Sequence, residues 1–151
     1  RISVDLTVLC YPAGFSSVDE YNNVFKSEPF WRQFSGLHLL MYQGDTILLR
    51  GGAEEFLQYD CAGAPWPCRD HDDSHCVGSG GFTIRSLLKT LEVIVKLNPD
   101  TVPLGENPKL YMQHAKLLSV PEDVFFTTYP IEKYTLKIVD FGLSCVIRIR
   151  S

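Results

Sequence analysis

The sequence predicts an all-β fold, a two-sheet β-sandwich with one or two short helices. About seven or eight short segments alternate apolar and polar residues, as strands with one buried face do. Pro and Gly turns separate these segments, and few stretches show helical spacing. Short strands with frequent turns are typical of a β-sandwich. The length of 151 residues and the 45% hydrophobic content fit a single domain that covers residues 1–151.

The first third of the chain is predicted to contain a strand, a short helix and a β-hairpin. Residues 2–8 alternate as a half-buried strand does. Ser17 is expected to cap a helix that ends before residues 28–29, where Pro follows Glu. Residues 37–42 and 46–50 flank a Gln-Gly-Asp turn, so we expect them to pair as a hairpin. Three aromatic side chains in this region are expected to fill the core: Phe30, Trp31 and Phe34.

The middle of the chain is predicted to run from a short helix directly into a strand. Residues 82–89 follow helical spacing, with Thr83 as the candidate N-cap. The period then changes to two, which turns residues 91, 93 and 95 to the core and Glu92 and Ile94 outward. A single helix through Leu97 is the alternative, and its β-branched run disfavours it. Later segments are also predicted to be strands: residues 110–120, 124–129, 134–140 and 143–150.

Composition and motifs exclude several classes of partner and cofactor. The net charge of −4 and the pI near 5.5 argue against nucleic acid, which a basic face would bind. The chain has no run of 18 apolar residues, so no membrane insertion is expected. Residues 78–81 form a Gly-Ser-Gly-Gly stretch that lacks the Lys of a phosphate-binding loop, and we interpret it as a hinge. No cofactor is therefore predicted.

A cluster of cysteines and histidines raises the question of zinc: Cys61, Cys68, His71, His75 and Cys76. Structural zinc sites use closely spaced cysteine pairs, and catalytic ones use motifs such as H-E-x-x-H, neither of which occurs here. No metal site and no catalytic residue are therefore predicted. The alternative is a small secreted hydrolase or zinc-dependent enzyme with its site near His71, His75 and Cys76.

Disulfides are the favoured use of the five cysteines. Cys10 ends the predicted first strand and Cys145 opens the last, so antiparallel neighbours would bring the two together. A second bridge is expected between two of Cys61, Cys68 and Cys76, and the sequence does not choose the pair. Five buried free thiols remain the alternative.

Five long segments resemble the chemokine-binding SECRET domain of poxviruses: residues 25–31 (FKSEPFW), 60–68, 76–98, 111–126 and 145–151. That domain is the C-terminal part of viral decoy tumour-necrosis-factor receptors called cytokine response modifiers, and it is related to the poxvirus CC-chemokine inhibitor. The resemblance implies a secreted, extracellular β-sandwich without catalysis. Such a module would bind host chemokines and block their receptor engagement. It would be the C-terminal fragment of a longer protein whose N-terminal region binds tumour necrosis factor.

The resemblance also implies where a chemokine would bind. An acidic strand position of the CC-chemokine inhibitor falls on Glu92, whereas the neighbouring acidic position falls on Thr90. An acidic loop of the inhibitor would correspond to the segment containing Asp72 and Asp73. Strand alternation adds three outward residues to this face: Ile94, Asp5 and Thr7. Mixed charged and apolar surface of this kind suits a protein interface.

Overall fold

The computed structural model describes residues 14–43, 46–48, 51–65, 77–97, 106–127, 138–140 and 146–148. Helices and strands are interspersed along these ranges. In chain order they are α1 (Val18–Phe25), α2 (Glu28–Trp31), β1 (His38–Tyr42), β2 (Thr46–Leu48), a 3-10 helix (Ala53–Phe56), β3 (Cys61–Pro65), β4 (Val77–Ser86), α3 (Leu87–Lys96), α4 (Glu106–Ala115), α5 (residues 122–127), β5 (Ile138–Asp140) and β6 (Val146–Arg148).

The main sheet has four strands in the order β1-β4-β3-β5. The long strand β4 lies between β1 and β3 and is antiparallel to both. Strand β5 is parallel to β3, whereas β2 and β6 form a separate antiparallel pair. A mostly antiparallel sheet with helices on one face is an α+β arrangement, so the prediction of an all-β, two-sheet sandwich is wrong.

The largest error lies where β4 meets α3. Residues 82–86, predicted to be helical, belong to β4, and residues 91–96, predicted to be a strand, belong to α3. The N-cap is Ser86, whose hydroxyl accepts a hydrogen bond from the Lys89 amide at 3.4 Å, and not Thr83. Residues 78–81 are part of β4, so the predicted hinge is also wrong. The alternative of one helix up to Leu97 is nearer to the structure.

Two further predicted strands are helices, and the predicted hairpin does not pair. Helix α4 occupies residues 110–115 of the predicted strand 110–120, and α5 occupies residues 124–127 of the predicted strand 124–129. Strands β1 and β2 lie where the hairpin was predicted, but β1 pairs with β4 and β2 pairs with β6. Strands β5 and β6 lie within the predicted strands 134–140 and 143–150. The predicted strand at residues 2–8 lies outside the described residues.

The helices cover one face of the main sheet. On that face Leu39 and Met41 of β1 pack against the larger hydrophobic cluster. Its buried members are Phe30, Trp31, Leu87, Val93, Leu97, Val120, Phe125 and Phe126. The opposite face holds a smaller cluster, in which Phe82 and Ile84 of β4 pack with Ala62 of β3 and residues of the 3-10 helix. The core expectation for Phe30, Trp31 and Phe34 is confirmed.

Helix α1 begins where the sequence predicts. The Ser17 hydroxyl accepts a hydrogen bond from the Glu20 amide at 3.1 Å, and the Glu20 carboxylate accepts one from the Ser16 amide at 2.7 Å. The first bond satisfies an amide that the first turn leaves without a helical partner, and the second fixes the residue before the cap. The predicted N-cap is therefore confirmed.

The polar face of α1 binds a distant part of the chain, and we call these contacts the α1 clamp. The Asp19 carboxylate accepts from the amides of Leu118 and Ser119 at 2.9 and 2.8 Å. Two further side chains complete the clamp: the Asn22 side-chain oxygen accepts from the Glu122 amide at 3.2 Å, and the Lys26 ammonium donates to the Val120 carbonyl at 2.6 Å. The three clamp side chains are spaced three and four residues apart, so they share one face of the helix. The opposite face of α1 is left to apolar contacts.

Among the described helices, none has the length and apolar character needed to cross a membrane.

Candidate functional site: the aromatic pocket

A cavity of about 340 Å³ lies between α1, α2 and strand β1. Its walls are mostly apolar and it is partly open to solvent. We call it the aromatic pocket, and its lining residues are Tyr21, Phe25, Phe30, Trp31, Phe34, Leu39, Leu40, Met41, Tyr42 and Gln43. A concave, mainly apolar cavity of this volume is the usual form of a ligand site.

The rings that line the pocket form a continuous chain of aromatic contacts. Tyr21 and Phe25, one helical turn apart on α1, stack with their centroids 4.4 Å apart. Phe25 meets Phe30 of α2 at 4.5 Å, and Phe30 meets Phe34 edge to face at 5.2 Å. Offset and edge-to-face pairs of this kind add to the free energy of ring burial. The walls are therefore held by ring-to-ring packing.

One end of the pocket carries hydrogen-bonding groups. The Gln43 side chain hydrogen-bonds to the Tyr21 hydroxyl. Burial raises the pKa of Tyr21, and the negative charge of Glu122 raises it further, which outweighs the lowering by Gln43. The hydroxyl therefore keeps its proton at neutral pH. A phenol and an amide in an otherwise apolar cavity can orient a ligand that has one polar edge.

Trp31 forms the floor of the pocket and is fully buried. Its indole nitrogen donates to the Phe25 carbonyl at 2.6 Å, which satisfies the one polar atom of the ring. The Arg85 guanidinium lies 5.9 Å from the centre of the same ring and 4.6 Å from that of Phe126. The cation thus lies within about 6 Å of two adjacent aromatic rings, an arrangement that is favourable when water is excluded.

Arg85 forms a buried ion pair with Glu122. Nη2 of Arg85 lies 2.9 Å from Oε2 of Glu122, and both side chains are almost completely buried. Burial alone would lower the pKa of Arg85, but the adjacent Glu122 carboxylate more than compensates and the pKa is raised. The Nε and Nη1 atoms of Arg85 are buried without a hydrogen-bond partner. The charge of Arg85 is therefore compensated by Glu122 alone among the described side chains that it contacts, and its guanidinium packs beside the buried Trp31 ring.

The space beside Arg85 is too small to be a second ligand site. The cavity there has a volume of about 10 Å³ and is lined by residues of β3, β4, α3 and α5. That volume is no larger than the room that roughly one water molecule needs. Of these two cavities, only the aromatic pocket is large enough to hold a small organic ligand.

The structure separates Glu92 and Ile94 from any sheet face. Both lie on α3, where Ile94 packs against the larger core cluster. The Glu92 carboxylate binds Lys89 at 2.9 Å and also binds Lys96, and the bonds to Lys96 and then Lys89 lower its pKa to about 2. The predicted outward pair on a strand is therefore wrong, because the helical turn directs the two side chains to different surroundings.

Most of the other predicted site residues lie outside the described residues. These are Asp5, Thr7, Asp72 and Asp73 of the predicted chemokine face, His71 and His75 of the alternative enzyme site, and Cys10, Cys68, Cys76 and Cys145 of the predicted disulfides. Their assigned roles stay predictions. Within the described ranges, no group of three or more His, Cys, Asp or Glu residues is arranged to hold a metal ion.

Cys61 is a free, buried thiol on strand β3. Burial raises its pKa, and the positive charge of Arg85, which lies directly opposite in β4, lowers it only in part. If a second disulfide forms among the three candidates, Cys68 and Cys76 are then the pair. That pairing stays a prediction.

Sequence reasoning identified the pocket aromatics as core residues and missed the cavity that they enclose. The available signal was their density: Phe15, Tyr21, Phe25, Phe30, Trp31, Phe34 and Tyr42 all fall within one short stretch. Aromatic side chains are enriched where ligands bind as well as in cores. The pattern alone does not separate the two roles.

A family model described as "Protein of unknown function (DUF5672)" matches residues 5–140 of the chain. The match covers most of the 151 residues, so the chain belongs to this family. No curated protein matches the sequence. The resemblance to the SECRET domain stays a prediction, whereas the β-sandwich that it implied is contradicted by the helices and the mixed sheet.

Proposed function

We propose that this member of the DUF5672 family is a binding domain that holds an aromatic or branched apolar group of its ligand in the aromatic pocket. The observation that carries the proposal is the cavity itself, about 340 Å³ of mostly apolar space with Tyr21 and Gln43 at one end. Ligand sites usually combine such apolar walls with a few polar groups that set orientation. A ligand group that is an aromatic ring with one hydrogen-bonding edge would match both the apolar walls and these two polar side chains.

The expected strength of this contact is modest. Full burial of a Phe-sized side chain contributes roughly 1.5–3 kcal/mol. Binding must also compensate for the lost freedom of the ligand, so an isolated ring is expected to bind with a Kd of about 1 mM or weaker. A biological ligand therefore needs contacts beyond the pocket.

Chemokine binding, secretion and the lack of catalysis remain proposals that come from the SECRET-domain resemblance. The net charge of −4 is compatible with a basic protein partner. The Glu92 and Ile94 surface no longer supports that partner, because the two residues lie on α3. A basic chemokine is accordingly included among the ligands to be tested, with the pocket as the expected contact.

The proposal can be tested with two small probes, indole and p-cresol, and methyl NMR. The chain has two methionines: Met41 lines the pocket, whereas Met112 lies on α4 and is not one of the lining residues. An aromatic probe in the pocket is expected to shift the Met41 methyl resonance through the ring current and to leave the Met112 resonance unchanged. Met112 therefore serves as an internal control.

A pair of matched variants locates the binding. Leu39 lines the pocket and its side chain lies on the face that the helices cover, so Leu39→Trp is expected to fill the cavity. Leu37 is 84% exposed and does not line the pocket, so Leu37→Trp is the control. We expect Leu39→Trp to weaken probe binding by about tenfold or more and Leu37→Trp to leave it unchanged. Equal shifts of both methionines, or equal affinities of both variants, would contradict the proposal.

A further inference from the structure

Strand β1 borders the aromatic pocket along its outer edge. Four consecutive strand residues line the cavity, Leu39, Leu40, Met41 and Tyr42. Successive side chains of a strand point to opposite faces of the sheet. A cavity that reaches all four therefore extends around the edge of the strand and touches its backbone.

The hydrogen bonds between β1 and β4 show which backbone groups face that edge. The Leu37 carbonyl accepts from the Leu87 amide at 3.0 Å, and the Gln43 amide donates to the Gly81 carbonyl at 2.9 Å. Both pairs lie directly opposite each other in the register of the two strands. In an antiparallel pair, hydrogen-bonded and non-bonded positions alternate. The odd-numbered residues of β1 thus bind β4, and the even-numbered ones present their N–H and C=O groups to the outer edge.

The even-numbered residues are His38, Leu40 and Tyr42. In the part of the chain that the structure describes, β1 is the edge strand and no other strand pairs with it on that side. Leu40 and Tyr42 are 48% and 70% exposed, so apolar side chains flank these backbone groups. An exposed edge with apolar side chains is a template for another strand.

We infer that the ligand is an extended peptide segment, basic in charge, that pairs with β1 as an added strand and inserts one aromatic or branched apolar side chain into the aromatic pocket. This inference rests on the proposed function and names its ligand class. Main-chain hydrogen bonds to an exposed edge supply affinity in such complexes, and a pocket for an alternate side chain supplies specificity. They are the contacts beyond the pocket that a single ring lacks.

The charge of the domain favours a basic segment. The net charge of the chain is −4, and the cation at the C-cap of α2, Arg32, is already paired with Glu28. A peptide that carries Lys residues on either side of its apolar side chain would be attracted, whereas one that carries Glu would be repelled. Affinity for the basic peptide is expected to fall as salt is added.

The test uses a Lys-flanked peptide of alternating Thr and Val with a central Phe, titrated onto the full chain by calorimetry. Two N-methylated versions are the matched controls: one blocks the backbone amides of the odd-numbered residues and the other those of the even-numbered residues. Only one set can face β1, so one version is expected to lose about tenfold or more in affinity and the other to bind like the parent. Replacement of the central Phe by Ala is expected to weaken binding to a similar extent.

The outcomes separate this inference from the proposed function. Strand pairing is overturned if neither N-methylated peptide is weakened, if both are weakened equally, or if no peptide binds while indole still shifts Met41. The basic character is overturned if the Glu-flanked peptide binds as well as the Lys-flanked one. In each of these cases the small-probe results stand by themselves, since the pocket is rejected only by the absence of a selective Met41 shift or by equal probe affinities of the two Trp variants.

Discussion

Among single residues, Glu122 has the largest expected effect on stability. Its carboxylate compensates the fully buried Arg85 guanidinium, which lies beside the rings of Trp31 and Phe126. A buried ion pair contributes little over an apolar replacement, but removal of one partner leaves an uncompensated charge. The loss of stability is thus expected to be largest when only one of the two charges is removed.

Glu122→Gln is expected to destabilise the folded chain by about 3–5 kcal/mol, because Arg85 loses its counter-charge in a dry environment. Urea unfolding measures the change. The double variant Arg85→Met with Glu122→Leu removes both charges at similar volume and is expected to recover most of the loss. A single variant as stable as the parent, or a double variant no better than the single, would show that the pair does not act in this way.

Cys61 is expected to react slowly with thiol reagents in the folded chain. Its side chain is 3% exposed, and burial raises its pKa above the ordinary value, so at pH 8 both the thiolate fraction and the access are low. Iodoacetamide labelling followed by peptide mass mapping measures the rate at this one position. Unfolding in urea should restore the rate of an ordinary thiol. Fast labelling of Cys61 in the native chain would argue against its burial.

At the scale of elements, α1 was predictable and α3 was not, for a physical reason. The cap of α1 is a local arrangement in which Ser17 and Glu20 meet within one turn, so the sequence carries its whole signal. The residues of α3 fit two periods. Leu91, Val93 and Val95 alternate, whereas Leu87, Thr90, Val93 and Leu97 follow helical spacing. Packing against the sheet selects the second pattern, with Val93 buried and Val95 exposed.

Helix α3 is expected to lose one of its stabilising interactions in acid. Glu92 bridges Lys89 and Lys96, which lowers its pKa from 4.5 to about 2 in the folded chain. A lowered pKa means that the contribution is fully present above pH 4.5 and is lost as the pH falls towards 2. The urea midpoint of the parent should therefore fall more steeply across this window than that of Glu92→Gln.

Salt provides the control for that measurement. Glu92 is partly exposed, so its ion pairs are screened by added salt, and the difference between parent and Glu92→Gln should shrink at high ionic strength. Parallel pH profiles of the two proteins at low salt would mean that the bridge contributes nothing to folding.

For the whole molecule, sequence patterns located several strands but not their partners. Strands β1 and β2 lie where alternation predicts them, yet each pairs with a strand far along the chain. Pairing between distant strands depends on how the helices pack on the sheet, and the alternation of residues within one strand carries no information about that packing. The same holds for the aromatic pocket. Phe30 and Trp31 were recognisable as buried residues, but the cavity exists only where the edge of β1 meets α1 and α2.

The α1 clamp has a consequence for the order in which the chain can become native. Asp19 binds the amides of Leu118 and Ser119 across sequence separations of 99 and 100 residues. Contacts between such remote positions slow folding, because a long loop must close before they form. During synthesis, α1 must wait until residue 122 has left the ribosome before its polar face finds its partners. Until then the aromatic side of this helix has only local partners such as Phe30, and a chaperone that shields exposed rings would have its longest opportunity to act.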